Sequence, residues 1–273
     1  MTARLDASCL SGYTLPLSPS GRAAMITTPP WHFSGRFIWV DYVVDPERAA
    51  RFLPPDMVPA ETGAAAAAFS SWQWCTDGET ELEEPARSQF CEFMVLLSVT
   101  YRGRAAARCP YAWVDQPVPM IRGWIQGMPK QFGSVHMTQT VAAGRAGPRR
   151  RAGGVYRGSL AVHDHRVADA RVTLTMPVEE PPVLNTAPLV HTRVFPPWLP
   201  QAPGVYETVA SEVTGAEYSE IWKGEADLCF GRQMLDDPDF GALAPVRIGP
   251  GYVFEYGETL LGGLDADAWN RPA

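Results

Sequence analysis

The chain is nearly without lysine. Of its 23 lysine and arginine residues only two, Lys130 and Lys223, are lysines, and 23 − 2 leaves 21 arginines. Arginine supplies charge but does not give up its proton, so a site needing a nucleophilic amine must keep lysine. Cysteine is sparse as well. The five thiols (Cys9, Cys75, Cys91, Cys109, Cys229) are odd in number and contain no CxxC pair, which suits reduced thiols in a cytoplasmic protein. No apolar run is long enough for a membrane span, and no charged-then-apolar leader opens the chain. A net charge of −7 argues against nucleic acid or an acidic membrane as partner. Gly153-Gly154 lacks the lysine and helix that would make it a phosphate cradle. His163-Asp164-His165 puts two imidazoles on one strand face without a third ligand at suitable spacing, so no metal is expected.

What is present is a globular composition, 46% hydrophobic and 11% aromatic, in 273 residues that fit one large domain or two small ones. With 24 glycines and 26 prolines, long helices cannot dominate. Residues 1–24 show no periodicity and are expected to form a flexible arm before a single domain, 25–273. Alternating apolar runs predict strands at 33–44, 89–101, 105–114, 167–176, 192–195, 206–213, 218–230 and 251–261. Segments 135–142 and 154–163 read as arms of one hairpin. The alanines of 64–68 favour helix while Phe69–Trp74 alternates, and the segment is read as strand. A short helix begins at Asp45-Pro46, and another spans Pro117–Gly127, closed by Gly127 and Pro129. The fold class is mainly β (α+β), antiparallel, with a few short helices.

The chemistry concentrates after that second helix, in Gly123-Trp124-Ile125-Gln126-Gly127-Met128-Pro129-Lys130-Gln131-Phe132-Gly133. Arg122, Gln126 and Lys130 are spaced i, i+4, i+8, and join one face if the proline turn folds back. An amine that attacks a carbonyl must be partly neutral near pH 7, far below its ordinary value. Burial and a nearby cation such as Arg122 would lower it, with Trp124, Met128 and Phe132 as apolar walls. Glu92, in an apolar strand, could shuttle protons. In the last strand Tyr252, Phe254 and Tyr256 share a face opposite Glu255, and Tyr256 or Glu255 could be a second acid.

The run Gly127–Gly133 resembles the G-aromatic-P-K-K-L-G stretch of the acetoacetate decarboxylase superfamily. Trp31-His32-Phe33-Ser34-Gly35-Arg36, Trp222-Lys223-Gly224 with Leu228, and 243–253 also resemble its strands, so the likeness runs from about Pro30 to Leu261. The resemblance implies a β-cone or barrel, a homo-oligomer, Lys130 as Schiff-base lysine, Arg36 as active-site arginine and Glu92 as active-site glutamate. Three departures stand out. Gln131 replaces the second lysine, the second acid near Phe69–Ser70 is missing, and Arg122 and Gln126 precede the lysine. The last feature resembles members that act on 2-oxo acids, since a guanidinium and an amide suit a carboxylate that stays attached. The expected function is imine and enamine chemistry without a cofactor, on a small carbonyl substrate in secondary metabolism, by aldol condensation, dehydration or cyclisation. Lys130, Glu92 and Tyr256 would be catalytic; Arg36, Arg122, Gln126, Trp124, Met128 and Tyr252 would bind substrate. Decarboxylation of a β-keto acid by the same lysine, or a non-catalytic carbonyl-binding protein, are the alternatives.

Overall fold

Large apolar residues alternate along the first strand, β1 (Trp31–Val43), and both of its faces are buried. Phe33, Phe37 and Trp39 enter one apolar cluster; Ile38, Val40 and Tyr42 enter another. The structure, a computed structural model, describes residues 9–141 and 143–269. The next strands are β2 (Met57–Pro59), β3 (Ala64–Cys75), β4 (Gln89–Tyr101), β5 (Arg104–Val114) and β6 (Lys130–Phe132). They are followed by β7 (Ser134–Met137), β8 (Val155–Val162), β9 (His165–Val178) and β10 (Val190–Phe195). The last three are β11 (Val205–Tyr218), β12 (Ile221–Phe230) and β13 (Arg247–Asp265). All belong to one sheet whose main path is β6-β5-β4-β3-β1-β13-β12-β9-β8-β7. Only β5–β6 is parallel among the strand pairs described. The sheet curls until β7 packs across β3, β4 and β5, yet β6 and β7 do not pair, so the ladder stays open.

The alanine run of β3 is strand, not helix. Alanine's helical advantage is only a few tenths of a kcal/mol per residue over ordinary residues. Here Ala66, Ala67 and Ala68 are fully buried between β1 and β4, and pairing on both edges outweighs that preference. The expected strand 218–230 divides at Ser219-Glu220. Ser219 exchanges bonds with Glu255, its backbone N–H with the carbonyl and its Oγ with the amide, so the chain leaves one stretch of β13 for another. The hairpin arms are β7 and β8; Ala142, the end of the expected first arm, lies outside the described residues. His163 and Asp164 form the left-handed turn between β8 and β9 and are exposed.

Of the expected N-terminal arm, residues 1–8 lie outside the described residues. From Cys9 the segment is mostly exposed but tied down: Ser11 bridges Ser18, the amide of Ile26 donates to Thr14 Oγ1 at 3.0 Å, and Tyr13 meets Trp31 edge-on at 6.3 Å. The one helix of consequence is Pro117–Gln126, called αA here. Proline fits its first turn, and Gly127 ends it at φ 86°, a left-handed position that glycine adopts without penalty. It covers the β5–β6 end of the sheet, on the face that carries Phe33, Trp72, Phe90 and Tyr256.

Candidate active site

The turn after αA folds back, as the i, i+4, i+8 spacing required. Met128 N–H bonds the Gly123 carbonyl at 2.8 Å, and Lys130 opens β6 opposite Ala112. The indole N–H of Trp124 holds the Lys130 carbonyl at 2.8 Å. The lysine stem then lies flat against the helix at Gly123. A Cβ on that glycine would stand 2.4 Å from Lys130 Cδ and 2.6 Å from Cγ. Any side chain there would displace the amine, which is why a residue that weakens helices by about 1 kcal/mol sits inside this one.

Lys130 Nζ is 2.8 Å from Glu92 Oε1, and the two side chains are only 5% and 4% exposed. The pair is at ionic distance without hydrogen-bond alignment, since Oε1 has no aligned donor among the described residues. Oε2 accepts from Trp72 Nε1 at 3.2 Å. Burial holds the Lys130 amine below its usual 10.5; Glu92 pulls it up, and Arg122 pushes it down again. The first effect is the largest, so the amine is more readily neutral than a surface lysine.

Arg122 is 1% exposed and is ringed by Phe33, Trp74, Phe90 and Trp31, with its guanidinium carbon 4.6, 4.7, 5.3 and 5.8 Å from their centroids. Neither Nη1 nor Nη2 has a partner among the described residues. Burial pushes the group down to about 9, so it is still charged at neutral pH. Desolvated cation–π contacts give about 2 kcal/mol or more, whereas a buried unpaired ion costs several. Rings alone do not offset that cost. A planar cation whose two Nη groups are unmatched among the described residues has the chemistry to pair with a carboxylate.

The last strand adds a residue that the sequence reading passed over. Tyr256 donates to Glu258 Oε2 at 2.7 Å, and Glu258 lies two residues on, on the same strand face. Burial raises the Glu258 carboxyl, Tyr256 opposes this, and Glu92 raises and Lys130 lowers it at longer range. Tyr256 is pushed well above the usual phenol range by burial and by Glu258. The period-2 pattern that grouped Tyr252, Phe254 and Tyr256 extends to Glu258 and could have found it. Met128, only 8% exposed, is in the same apolar cluster as Tyr252, Phe254 and Tyr256.

Other expected site residues stand elsewhere. Arg36 is opposite Ser71 and Glu255 in its neighbouring strands and points to the other face of the sheet from Glu92. Its Nη1 donates to Gln139 Oε1 at 3.0 Å, and Nε is 3.5 Å from Glu255 Oε1, which Arg150 also holds at 2.9 Å. A one-residue offset in an aligned strand reverses the face of a side chain. This group lines a cleft of about 610 Å3 that excludes Lys130 and Glu92. Arg36→Ala is therefore expected to leave covalent trapping at Lys130 within about twofold of the parent, read by adduct mass. Trp124 is 50% exposed and Phe132 more so; both lie outside the amine's walls because the first is spent on the turn and the second faces solvent. Gln126 makes no hydrogen bond to the Arg122 Nη groups and lines a second cleft, about 440 Å3, with Tyr13, Trp31 and Arg193. Tyr252 is turned to Asp41 and Lys223, and burial and Asp41 push it up to about 12.

The sequence pattern of the acetoacetate decarboxylase family (ADC) matches residues 14–267. The solved structure of the enduracididine biosynthesis enzyme MppR, complexed with the condensation product of pyruvate and imidazole 4-carboxaldehyde, is 54% identical, with a TM-score of 0.89, over 93% of this chain and 96% of that one. An acetoacetate decarboxylase-like enzyme from Sphingomonas wittichii RW1 is 22% identical, TM-score 0.84, over 93% and 98%. Acetoacetate decarboxylase from Legionella pneumophila is 17% identical, TM-score 0.70, over 87% of each chain, a likeness of fold. No curated protein matches. None of the helices among the described residues is long and apolar enough to cross a membrane.

Proposed function

The chain belongs to the acetoacetate decarboxylase family, and from that premise we propose that it is a cofactor-independent Schiff-base enzyme acting on a 2-oxo acid. The observation that carries the reading is the buried Lys130–Glu92 pair laid against Gly123, beneath a guanidinium with two unmatched N–H edges. Neutral Lys130 attacks the ketone carbon, the carbinolamine takes up a proton from Glu258 and loses its hydroxyl as water, and a cationic iminium forms. Glu92 faces that cation at the position where it now faces the ammonium. Arg122 holds the carboxylate, so the carbon–carbon bond to it is kept and the neighbouring carbon gives up a proton instead. Glu258, a carboxyl raised by burial on the same face, takes that proton to leave an enamine. The enamine carbon then adds to an aldehyde, or the skeleton loses a hydroxyl as water; hydrolysis of the imine frees the lysine.

The relative, an enduracididine biosynthesis enzyme, is complexed with a condensation product of pyruvate and an aldehyde, which supports aldol-type chemistry. The substrate is a small carbonyl compound, and the working form is a homo-oligomer. The test is sodium borohydride with pyruvate, and separately with acetoacetate, followed by intact mass and peptide mapping. A reduced pyruvate adduct on Lys130 that keeps its carboxylate is expected. An acetone adduct from acetoacetate, with none from pyruvate, would favour decarboxylation instead. No adduct with either would remove the support for imine chemistry on these substrates.

A further inference from the structure

The turn that presents Lys130 is held from outside by a side chain the mechanism does not use. A helix leaves its last four carbonyls without partners of its own. In αA these belong to Gly123, Trp124, Ile125 and Gln126. The backbone takes two of them. Met128 N–H bonds the Gly123 carbonyl at 2.8 Å and Gly127 N–H bonds the Trp124 carbonyl at 3.2 Å, the paired bonds of a Schellman turn. The Ile125 carbonyl is taken from another element: Arg193 Nε, on β10, donates to it at 2.6 Å.

Arg193 works in two directions. Its Nη1 donates to Glu207 Oε2, directly opposite on β11, and its guanidinium carbon lies 5.5 Å from the Phe195 ring. A planar fork serves two partners at once, and a cation is favoured at a helix C-terminus. The turn also rests on the strand itself. A Cβ on Gly127 would stand 2.9 Å from Arg193 Cγ and 3.0 Å from Thr192 C and Arg193 N. β10 in turn is tied to β5, through Ala107 N–H to the Pro188 carbonyl at 2.8 Å and Arg108 Nη1 to Thr192 Oγ1 at 2.9 Å. Thr192 and Arg193 are adjacent along the strand, so the side-chain bonds to β5 and to αA leave it from opposite faces.

From the turn the geometry runs on to the amine. The lysine stem lies against Gly123, and Trp124 Nε1 holds the Lys130 carbonyl at 2.8 Å. A shift of the αA end is therefore a shift of Nζ against Glu92, 2.8 Å away. We infer that Arg193, braced by Glu207, is a positioning residue that fixes the end of αA and with it the Lys130 amine. Ile125, Arg193 and Glu207 all line the 440 Å3 cleft, so solvent can reach the Ile125 carbonyl once Arg193 is replaced. What such a variant loses is placement of the amine, not the pairing of a buried group. This inference rests on the Schiff-base reading for what the amine does.

Pyruvate trapping, read on the Lys130 peptide, tests it. Arg193→Met is expected to lower the maximal trapping rate at least about tenfold, because a misplacement of about 1 Å costs that much or more. The pyruvate concentration giving half that rate should stay within about twofold, since Arg122 lies a full turn earlier in αA. Thr192→Val is the control for strand stability: it breaks the bond on the other face of β10, lowers the melting temperature, and should leave the trapping rate within about twofold. Glu207→Gln, on a half-exposed side chain, should fold and lose about two- to fivefold in rate, the scale of an exposed ion pair. An unchanged rate in Arg193→Met, an equal loss in Thr192→Val, or a loss confined to the half-saturating concentration overturns the inference. Should Arg193→Met fail to fold, an unchanged rate in Glu207→Gln overturns it. Hydrogen exchange across residues 123–132 needs no imine and should speed up at least about tenfold in Arg193→Met but not in Thr192→Val. Unchanged exchange overturns the inference. A parent that traps no pyruvate, with exchange altered as expected, counts against the Schiff-base reading alone.

Discussion

Lys130→Arg is expected to abolish borohydride trapping of pyruvate and to lower turnover by at least about 10^4-fold, the scale lost when a covalent nucleophile is removed. The substitution keeps the charge facing Glu92, so the buried pair is not orphaned; breaking it outright would cost about 3–5 kcal/mol. Folding, followed by thermal melting, should survive better in this variant than in Lys130→Met. The parent's pH profile adds a second signature. Burial lowers the amine's pKa, so the neutral, reactive form appears at lower pH than in a surface lysine. Trapping should rise with pH and reach half its plateau below 10.5. A trapping rate that persists in Lys130→Arg would place the nucleophile elsewhere. Lys223, partly exposed beside the Tyr252 ring at 5.7 Å, would then be the residue to map.

The second large effect belongs to Arg122. With methionine in its place the aromatic box stays filled and apolar, but an incoming carboxylate meets no cation. Losing a buried charged hydrogen-bond partner costs about 2–5 kcal/mol, so KM for pyruvate should rise by roughly thirtyfold or more. The same change should raise the melting temperature. It removes a buried cation with two unmatched N–H groups, and apolar replacements of such ions are often neutral or stabilising by about 1–4 kcal/mol. The pH dependence works in a third direction. Arg122 presses the Lys130 amine down, so without it the amine's pKa climbs and the trapping profile moves to higher pH. Lower affinity, higher stability and an alkaline shift would together identify a carboxylate clamp. Unchanged KM with a melting point that falls would instead make Arg122 a structural residue.

Much of this arrangement was legible along the chain, because the relevant signals are local. The scarcity of lysine and the turn after Gly127 singled out Lys130, and a run such as 89–101 announced its own strand. The apolar stretch around Glu92 foretold its burial. The i, i+4, i+8 spacing brought Arg122 and Lys130 to one side of a helix, although only a chain reversal at Pro129 could complete it.

What depended on tertiary structure were the features set by register and by what packs opposite. Whether Arg36 or its neighbour faces the lysine turns on a single step along a strand, and the pairing with Ser71 and Glu255 decided it. Trp124 looked like a wall until the turn claimed its indole N–H. The burial of His191 carries no local signature, since it comes from β10 meeting β5 and αA, which are far away in sequence. Even the choice of glycine at 123 has its reason seven residues downstream, where the lysine stem needs the space. The sequence by itself determined the chemistry available, one nucleophilic amine with acids and a guanidinium near it in the pattern. Tertiary structure decided which of these groups meet, because side-chain direction in a sheet reverses at every residue and burial depends on the partner strand.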